Sequence, residues 1–390
     1  MKIYRSVFFL FLYLIGCAGP WVCASDLVVN NGALEKSGPE LTDTPKIREF
    51  LIQENDTLSY TLKLVLDEAG HPQYFFRNIF TPVCYTNECK PVYINFYWDL
   101  LGNYMRYDLP KNKVLTKVDH DEFKEEDYQK LSEILAKSNS IFADLKMEDL
   151  ITKGTDNLTD NVDAKTGATL KTIKNEVIDG AVYTCFTLWH IAHGRASEEI
   201  KKIIETYQSE RLLHEFLTST NHYYQYWALD KVMDKNGNIP VKYAKDIRQI
   251  ISGKNVFTAR YALQKSAPSF FQTDDAQSWL WQTYSSAGYM LQIAILKKLT
   301  HIPLTSPLTE SLAQQLVKAN NEQFNLMLVL LKNQKKLSPK TLRTMADQLE
   351  NSNTDYAEGI YDLLQNHYSA DASIKGKLET YKAGLSDTGN

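Results

Sequence analysis

Asp163-Ala164-Lys165-Thr166-Gly167-Ala168-Thr169 is the stretch around which the chain is organised. Two small residues, Gly167 and Ala168, stand directly before the Thr169 hydroxyl. Apolar residues follow at helical spacing: Leu170, Ile173, Val177, Val182, Cys185, Leu188 and Ile191. The pattern predicts a helix running to about His193, with Thr169 at or near its N-terminus and Gly180 bending it or ending its first half. Free backbone N–H groups at such an end attract a phosphate. Gly167 has no Cβ and lets a bulky ligand approach the backbone. Asp163 and Thr166 are also ordinary capping residues, so a capped helix start is the plainer reading of the same letters.

Outward from this stretch, the preceding half reads as strands. Leu58 to Val65 is rich in strand-favouring residues, Asp67 to Pro72 is a turn, and Gln73–Val83 and Pro91–Tyr97 continue the β character. Val92, Ile94 and Phe96 alternate with Tyr93, Asn95 and Tyr97. A turn at Asp99 to Asn103 leads to a strand over Tyr104–Leu109, and Asp119–Ile141 reads as helix. Ile47–Glu54 is expected to be a short helix closing a polar leader over 25–54.

Beyond Gly194-Arg195 the chain is helical throughout. Segments from Ser197 to Asn366 recur as helix pairs every ~35–45 residues, which suits a HEAT-like α-solenoid; an irregular helical domain is the alternative. One uninterrupted helix is expected over Ala276–Leu299. The tail from 369 to 390 is polar, with one more helix expected over Ile374–Lys382. The fold expected is therefore an α+β domain over 55–194, with a small antiparallel sheet, followed by an all-α region over 195–368.

Composition narrows the function. The 390 residues carry a net charge of −4, which gives no global basic character to argue for nucleic acid. Met1 to about Ala24 has a basic start, Lys2 and Arg5, and an apolar core, Val7 to Ile15, too short for a comfortable membrane span. It reads as an export signal. Leu14-Ile15-Gly16-Cys17 looks like a bacterial lipobox, which would make Cys17 the lipidated first residue and anchor the protein to the membrane. Cleavage near Val22-Cys23-Ala24, leaving a soluble secreted chain, is the alternative. In an oxidising compartment Cys84 and Cys89 could close a short disulfide loop. Cys185 is expected to be a buried thiol.

Several side chains invite a functional reading beside a plain one. Tyr183, Phe186 and Trp189 on the helix after Thr169 could flank an aromatic cofactor or simply pack the core. His190 and His193 have a spacing that can hold a metal, but no third ligand is legible. His120 could sit by a cofactor or be a surface or capping residue. No Ser-His-Asp or paired-carboxylate arrangement can be read, so hydrolysis is not expected.

The stretch Asp163-x-x-Thr166-Gly167-Ala168-Thr169 resembles the Asp-x-x-Ser/Thr-Gly-Ala-Thr motif of FMN-binding domains that carry covalent flavin. Such domains occur in Na+-pumping quinone reductase and Rnf-type complexes and in nitrous-oxide reductase regulatory proteins. The segment Asp119 to Leu135 also resembles one that precedes the motif in periplasmic members. The resemblance covers about residues 55–193 and says nothing of the helical half. It implies FMN joined through its phosphate to Thr169 by a flavin transferase, with Asp163, Thr166, Gly167 and Ala168 forming the cofactor-binding site. It further implies electron transfer with a redox partner in the periplasm or cell envelope. The alternative is a flavin-free secreted scaffold that binds an envelope protein through its helical region.

Overall fold

A computed structural model describes residues 46–83, 90–117, 120–147, 177–349, 354–367 and 371–387. Asp163 to Thr169, Cys17, Cys84 and Cys89 lie outside the described residues, as do the export segment and the polar leader up to residue 45. The chain divides into two compact units, Met1–Ser197 and Glu198–Asn390.

The first unit is built on a five-stranded antiparallel meander: β1 (Lys46–Gln53), β2 (Ser59–Leu66), β3 (Pro72–Thr81), β4 (Val92–Trp98) and β5 (Tyr104–Asp108), hydrogen-bonded in chain order. The period-two pattern read in β4 sets its two faces. Val92, Ile94, Phe96 and Trp98 are buried, while Tyr93, Asn95 and Tyr97 point to the other side. Residues paired across the ladder share a face, so the register carries this division through the sheet. Leu62 and Leu64 of β2 and Phe75 and Ile79 of β3 join the buried side.

Lys46–Gln53 is a strand, which corrects both the helix expected over Ile47–Glu54 and the placing of these residues in a leader. Every residue of β1 pairs with β2, from Lys46 opposite Leu66 to Gln53 opposite Ser59. A lone eight-residue helix is costly to nucleate, whereas the edge of a formed sheet supplies a ready ladder. The β4–β5 turn is held by Asp99, whose Oδ1 accepts from the Leu101 and Asn103 amides at 2.8 and 2.9 Å. Gly102 takes φ 78° there, and a Cβ on it would fall 2.6 Å from the Ser197 carbonyl oxygen.

Two helices cover the buried face. α1 (Glu125–Ala136) starts with Glu125, Glu126 and Asp127, acids suited to a helix N-terminus, and buries Leu131, Ile134 and Leu135. A single 3-10 turn, Ile141–Asp144, inserts the fully buried Phe142. α2 (Val182–His193) buries Thr184, Cys185, Phe186, Leu188, Trp189 and Ala192. It begins only after Gly180, which takes φ 70°, the glycine at which the sequence predicts the helix before His193 to bend or end its first half.

The second unit is wholly helical among the described residues. α3 (Arg195–Glu205) leads into α4 (Glu210–Thr218), α5 (His222–Val232), α6 (Ala244–Ile251), α7 (Val256–Lys265), α8 (Asp274–Ser286), α9 (Tyr289–Leu299), α10 (Ser306–Gln315), α11 (Asn321–Lys332), α12 (Pro339–Asp347), α13 (Thr354–His367) and α14 (Ala372–Asp387). The run Ala276–Leu299 is two helices, not one, because Ala287 is extended and Gly288 caps a fresh start.

Consecutive helices pack in pairs, α4 on α5, α6 on α7, α8 on α9, α10 on α11 and α12 on α13. Alternate helices pack as well: α5 on α7, α7 on α9, α9 on α11, α11 on α13, and on the other side α4 on α6, α8 on α10, α10 on α12 and α12 on α14. The N-caps of α5, α7, α9 and α11 are Asn221, Asn255, Gly288 and Asn320, in steps of 34, 33 and 32 residues. This repeat is shorter than the ~35–45 residues expected from sequence.

Polar side chains tie each pair to the next at the same interval. His214 Nδ1 meets Asp246 at 2.5 Å, 32 residues on, and Gln323 Nε2 donates to Gln292 at 2.7 Å across 31 residues. Lys231, Lys265 and Lys298 occupy one position of α5, α7 and α9, and each reaches back to an earlier pair, to Glu205, Asp230 and the Ser266 carbonyl. Gln277 is fully buried. Its Nε2 donates to Pro303 O at 2.8 Å, and its Oε1 accepts from Thr305 N at 2.9 Å, which fixes the chain entering α10.

Candidate functional site

The expected flavin-attachment residues, Asp163, Thr166, Gly167, Ala168 and Thr169, lie outside the described residues, so their geometry carries no argument. What is described begins at Val177 and leads through Gly180 into α2. Two of its aromatic residues, Phe186 and Trp189, are committed to the core. Phe142 meets Phe186 edge-on at 5.8 Å and Trp189 at 6.2 Å. Trp189 Nε1 donates to Lys137 O at 2.8 Å. Phe186 and Trp189 are 8% and 4% exposed, so neither offers an open ring face to a flavin, and of the three aromatics proposed to flank one only Tyr183 is half-buried.

His193 Nε2 bonds Leu135 O at 2.8 Å. Trp189 and His193, one turn apart on α2, therefore both occupy carbonyls at the C-terminal end of α1, which a helix leaves unpaired. Burial pushes His193 below the ordinary histidine range, with the Leu135 carbonyl opposing. Burial also lowers His190, the Phe142 carbonyl opposing and the neighbouring His193 adding to the shift. The two histidines serve the fold as neutral rings. Among the described residues no group of three His, Cys, Asp or Glu side chains is placed to hold a metal. Cys185 is a free, buried thiol whose pKa burial pushes up to about 12, so it is inert as a nucleophile at neutral pH. His120 is exposed in a turn with φ 68°.

The face of the sheet opposite α1 and α2 carries a row of aromatic and polar groups. Phe76 and Tyr97 stack at 6.0 Å, Phe80 and Tyr93 lie 4.6 Å apart, and the Arg106 guanidinium sits 3.8 Å over the Tyr97 ring. Asn78 bonds Asn95 at 2.8 Å and Asn95 bonds Asp108 at 2.7 Å, so the polar members are satisfied across three strands.

A concave feature lies in the helical unit. A groove of about 420 Å³ runs between α7 and α9 and reaches the start of α11, lined among others by Arg260, Met290, Ile293, Lys297, His301 and Glu322. Met290 and Tyr289, 55% and 43% exposed, give it an apolar rim. The Tyr289 hydroxyl donates to Glu322, and Lys297 pairs with the same carboxylate at 3.5 Å. The Tyr289 bond, aided by Lys297, holds Glu322 below its usual carboxylate range. Lys298 is also engaged, donating to Gln264 O at 3.2 Å and to Ser266 O. Arg260 differs from these. Its Nε is buried and meets no acceptor among the described residues. None of these positions was singled out from sequence. The signal available was the recurrence of Asn caps at Asn221, Asn255 and Asn320, which aligns Tyr223, Phe257, Met290 and Glu322 as the second residue of successive helices.

No helix among the described residues is long and apolar enough to cross a membrane. Comparison with protein-family models, with curated proteins and with solved structures finds no match.

Proposed function

We propose that the chain is an exported flavoprotein that carries FMN as a phosphoester on Thr169 and takes part in electron transfer outside the cytosol. The observation that carries this reading is the seven-residue stretch Asp163 to Thr169, which holds every fixed position of the covalent-flavin motif. A hydroxyl is the group such an attachment needs, and Thr169 supplies it at the last position. Bound there, the flavin would supply one- and two-electron redox chemistry, and the protein would supply position and electrostatics. Asp163 would hold a cation or orient the motif during transfer, and Gly167 and Ala168 would leave room for the transferase. Phe186 and Trp189 would act behind the site, as core that fixes α2, and not as stacking partners of the ring. The export segment and the Cys17 lipobox would place the protein in the periplasm or cell envelope, lipid-anchored, next to its redox partner.

The test is intact mass and peptide mapping of protein exported from cells that co-express a flavin transferase. An added FMN less water on the peptide containing Thr169 supports the reading. An unmodified chain, alongside a flavinylated control from the same cells, sinks it.

A second reading attaches to the helical unit: a HEAT-like solenoid that docks a partner in the envelope. It is favoured by helix pairs that recur at 32 to 34 residues and are cross-bonded at that interval. Stacked pairs of this kind bury a continuous core and leave extended faces for binding. The two readings are compatible, and the docking reading alone would remain if Thr169 proved unmodified.

A further inference from the structure

We infer that the groove between α7 and α9 is a docking site for a carboxylate-bearing segment of a partner protein, with Arg260 as its anion receptor. The inference deepens the docking reading of the helical unit and rests on it; it is independent of flavin attachment.

Charge complementarity identifies the occupant. Of the cationic groups at the groove, Lys297 is paired with Glu322 and Lys298 with backbone carbonyls at the end of α7. Arg260 is half-buried, and its Nε is sealed from solvent and meets no acceptor among the described residues. A partly desolvated guanidinium without an acceptor is unfavourable, because it has given up water and gained nothing in return. The neighbouring polar groups do not relieve it: Glu322 is occupied by Tyr289 and Lys297. A planar donor fork of this kind matches a carboxylate in a bidentate fashion.

The surroundings argue for a peptide rather than a bare anion. Beside Arg260 the groove is floored by Ile293 and rimmed by the exposed Met290. One helical turn before Arg260, Phe257 is 70% exposed. Phe257 and Met290 hold the same position in successive helix pairs, as does Tyr223 at 53% exposure. A row of apolar side chains flanking a single unpaired cation fits an acidic side chain with apolar neighbours along one chain. Packed helices lie about 8–10 Å apart, and an extended peptide covers that distance in about three residues. The recognised sequence is accordingly an Asp or Glu with an apolar residue about three positions away.

The experiment is a selection of a displayed random-peptide library on the full chain, followed by binding of the enriched peptides to variants. The expected result is enrichment of an acidic residue spaced from Leu, Ile, Met or Phe. Binding should fall by roughly tenfold or more in Arg260→Gln, and partly recover in Arg260→Lys, which keeps the charge and loses the fork. Met290→Asp, which sets a like charge on the rim, should also abolish binding. Arg260→Gln should melt no lower than the parent protein, since it removes a group with no partner, so loss of binding would not be loss of fold. Enriched peptides without an acidic residue, or peptides indifferent to Arg260→Gln, overturn the assignment while leaving docking by the helical unit standing. No enrichment at all overturns both. Succinate tested alone separates the remaining source of a carboxylate: stabilisation of the parent chain by succinate, abolished in Arg260→Gln and unmatched by any peptide, would make the groove a small-acid site and overturn the peptide assignment.

Discussion

Trp98 on β4 donates from its indole Nε1 to the backbone carbonyl of Ala192 on α2, at 2.7 Å, in the interior of the first unit. Ala192 lies in the last turn of its helix, where carbonyls lack an intrahelical donor. The bond thus satisfies a buried acceptor and fixes α2 against the sheet. Trp98→Phe keeps most of the ring and leaves the Ala192 carbonyl without a donor. It should cost about 1–3 kcal/mol in urea unfolding followed by far-UV circular dichroism. A change within error would mean that the carbonyl finds another donor.

Gln277 makes the corresponding test in the helical unit. It is fully buried and satisfies both Pro303 O and Thr305 N. Gln277→Leu keeps volume and strands two backbone groups, so it should destabilise by about 2–4 kcal/mol, more than a single lost bond. Thermal melts of the full chain, with the helical unit's tryptophans as reporters, would measure this.

Gly237 takes φ 79° in the turn after α5, and a Cβ there would lie 2.1 Å from the Lys265 carbonyl oxygen. The Gly237 carbonyl itself accepts from Ala267 N at 2.7 Å, so the turn is clamped to the end of the next helix pair. Gly237→Ala should lower stability by at least about 2 kcal/mol, through backbone strain and the forced separation of that contact. Chemical denaturation that finds Gly237→Ala neutral would show that the clamp is dispensable.

The histidine pair on α2 gives a pH dependence with a definite sign. His190 and His193 are both lowered from the ordinary 6.5 in the folded chain, chiefly by burial. Between the lowered values and 6.5 the unfolded chain binds more protons than the folded one, so stability rises with pH through that window and levels off above it. Acidification below about pH 6.5 should therefore lower the melting temperature. His190→Gln should reduce that slope while leaving the plateau above it closer to the parent. An unchanged slope in His190→Gln and in the matching His193 variant would place the acid sensitivity elsewhere.

Thr169→Val should be exported and should fold with an unchanged far-UV spectrum, but should emerge from transferase-expressing cells without flavin. In-gel flavin fluorescence and intact mass would both read this outcome. Covalent flavin retained on the variant would move the attachment to another hydroxyl.

Much of the architecture was legible before any coordinates, and the reason differs between the halves. In β4 the alternation of Val92, Ile94 and Phe96 with Tyr93, Asn95 and Tyr97 encodes both the strand and its buried face, because side chains on a strand alternate by geometry. In the second unit the helical character is legible because helical periodicity, the Asn255 and Ser338 caps and Pro339 at the start of α12 are local signals. Lys46–Gln53 was misread because its conformation is supplied by β2, a partner that local spacing does not encode. The break at Ala287-Gly288 was missed because a glycine within an apolar run marks an end only when the following helix turns back on its neighbour.

The site divides along the same line. Sequence by itself supplies the Asp163 to Thr169 stretch, a string of adjacent residues whose resemblance to the covalent-flavin motif is read within one segment. It also determined β2 to β5 and the helical character of the second unit, since both follow from short-range stereochemistry and apolar periodicity. Tertiary structure decided that Phe186 and Trp189 are core, because Phe142, distant in sequence, packs against both. It alone turned Trp189 and His193 into caps for the end of α1, and it alone buried the Arg260 Nε with no acceptor among the described residues, beside Met290. Burial and pairing are properties of what the rest of the chain brings near, over sequence separations at which no local pattern survives.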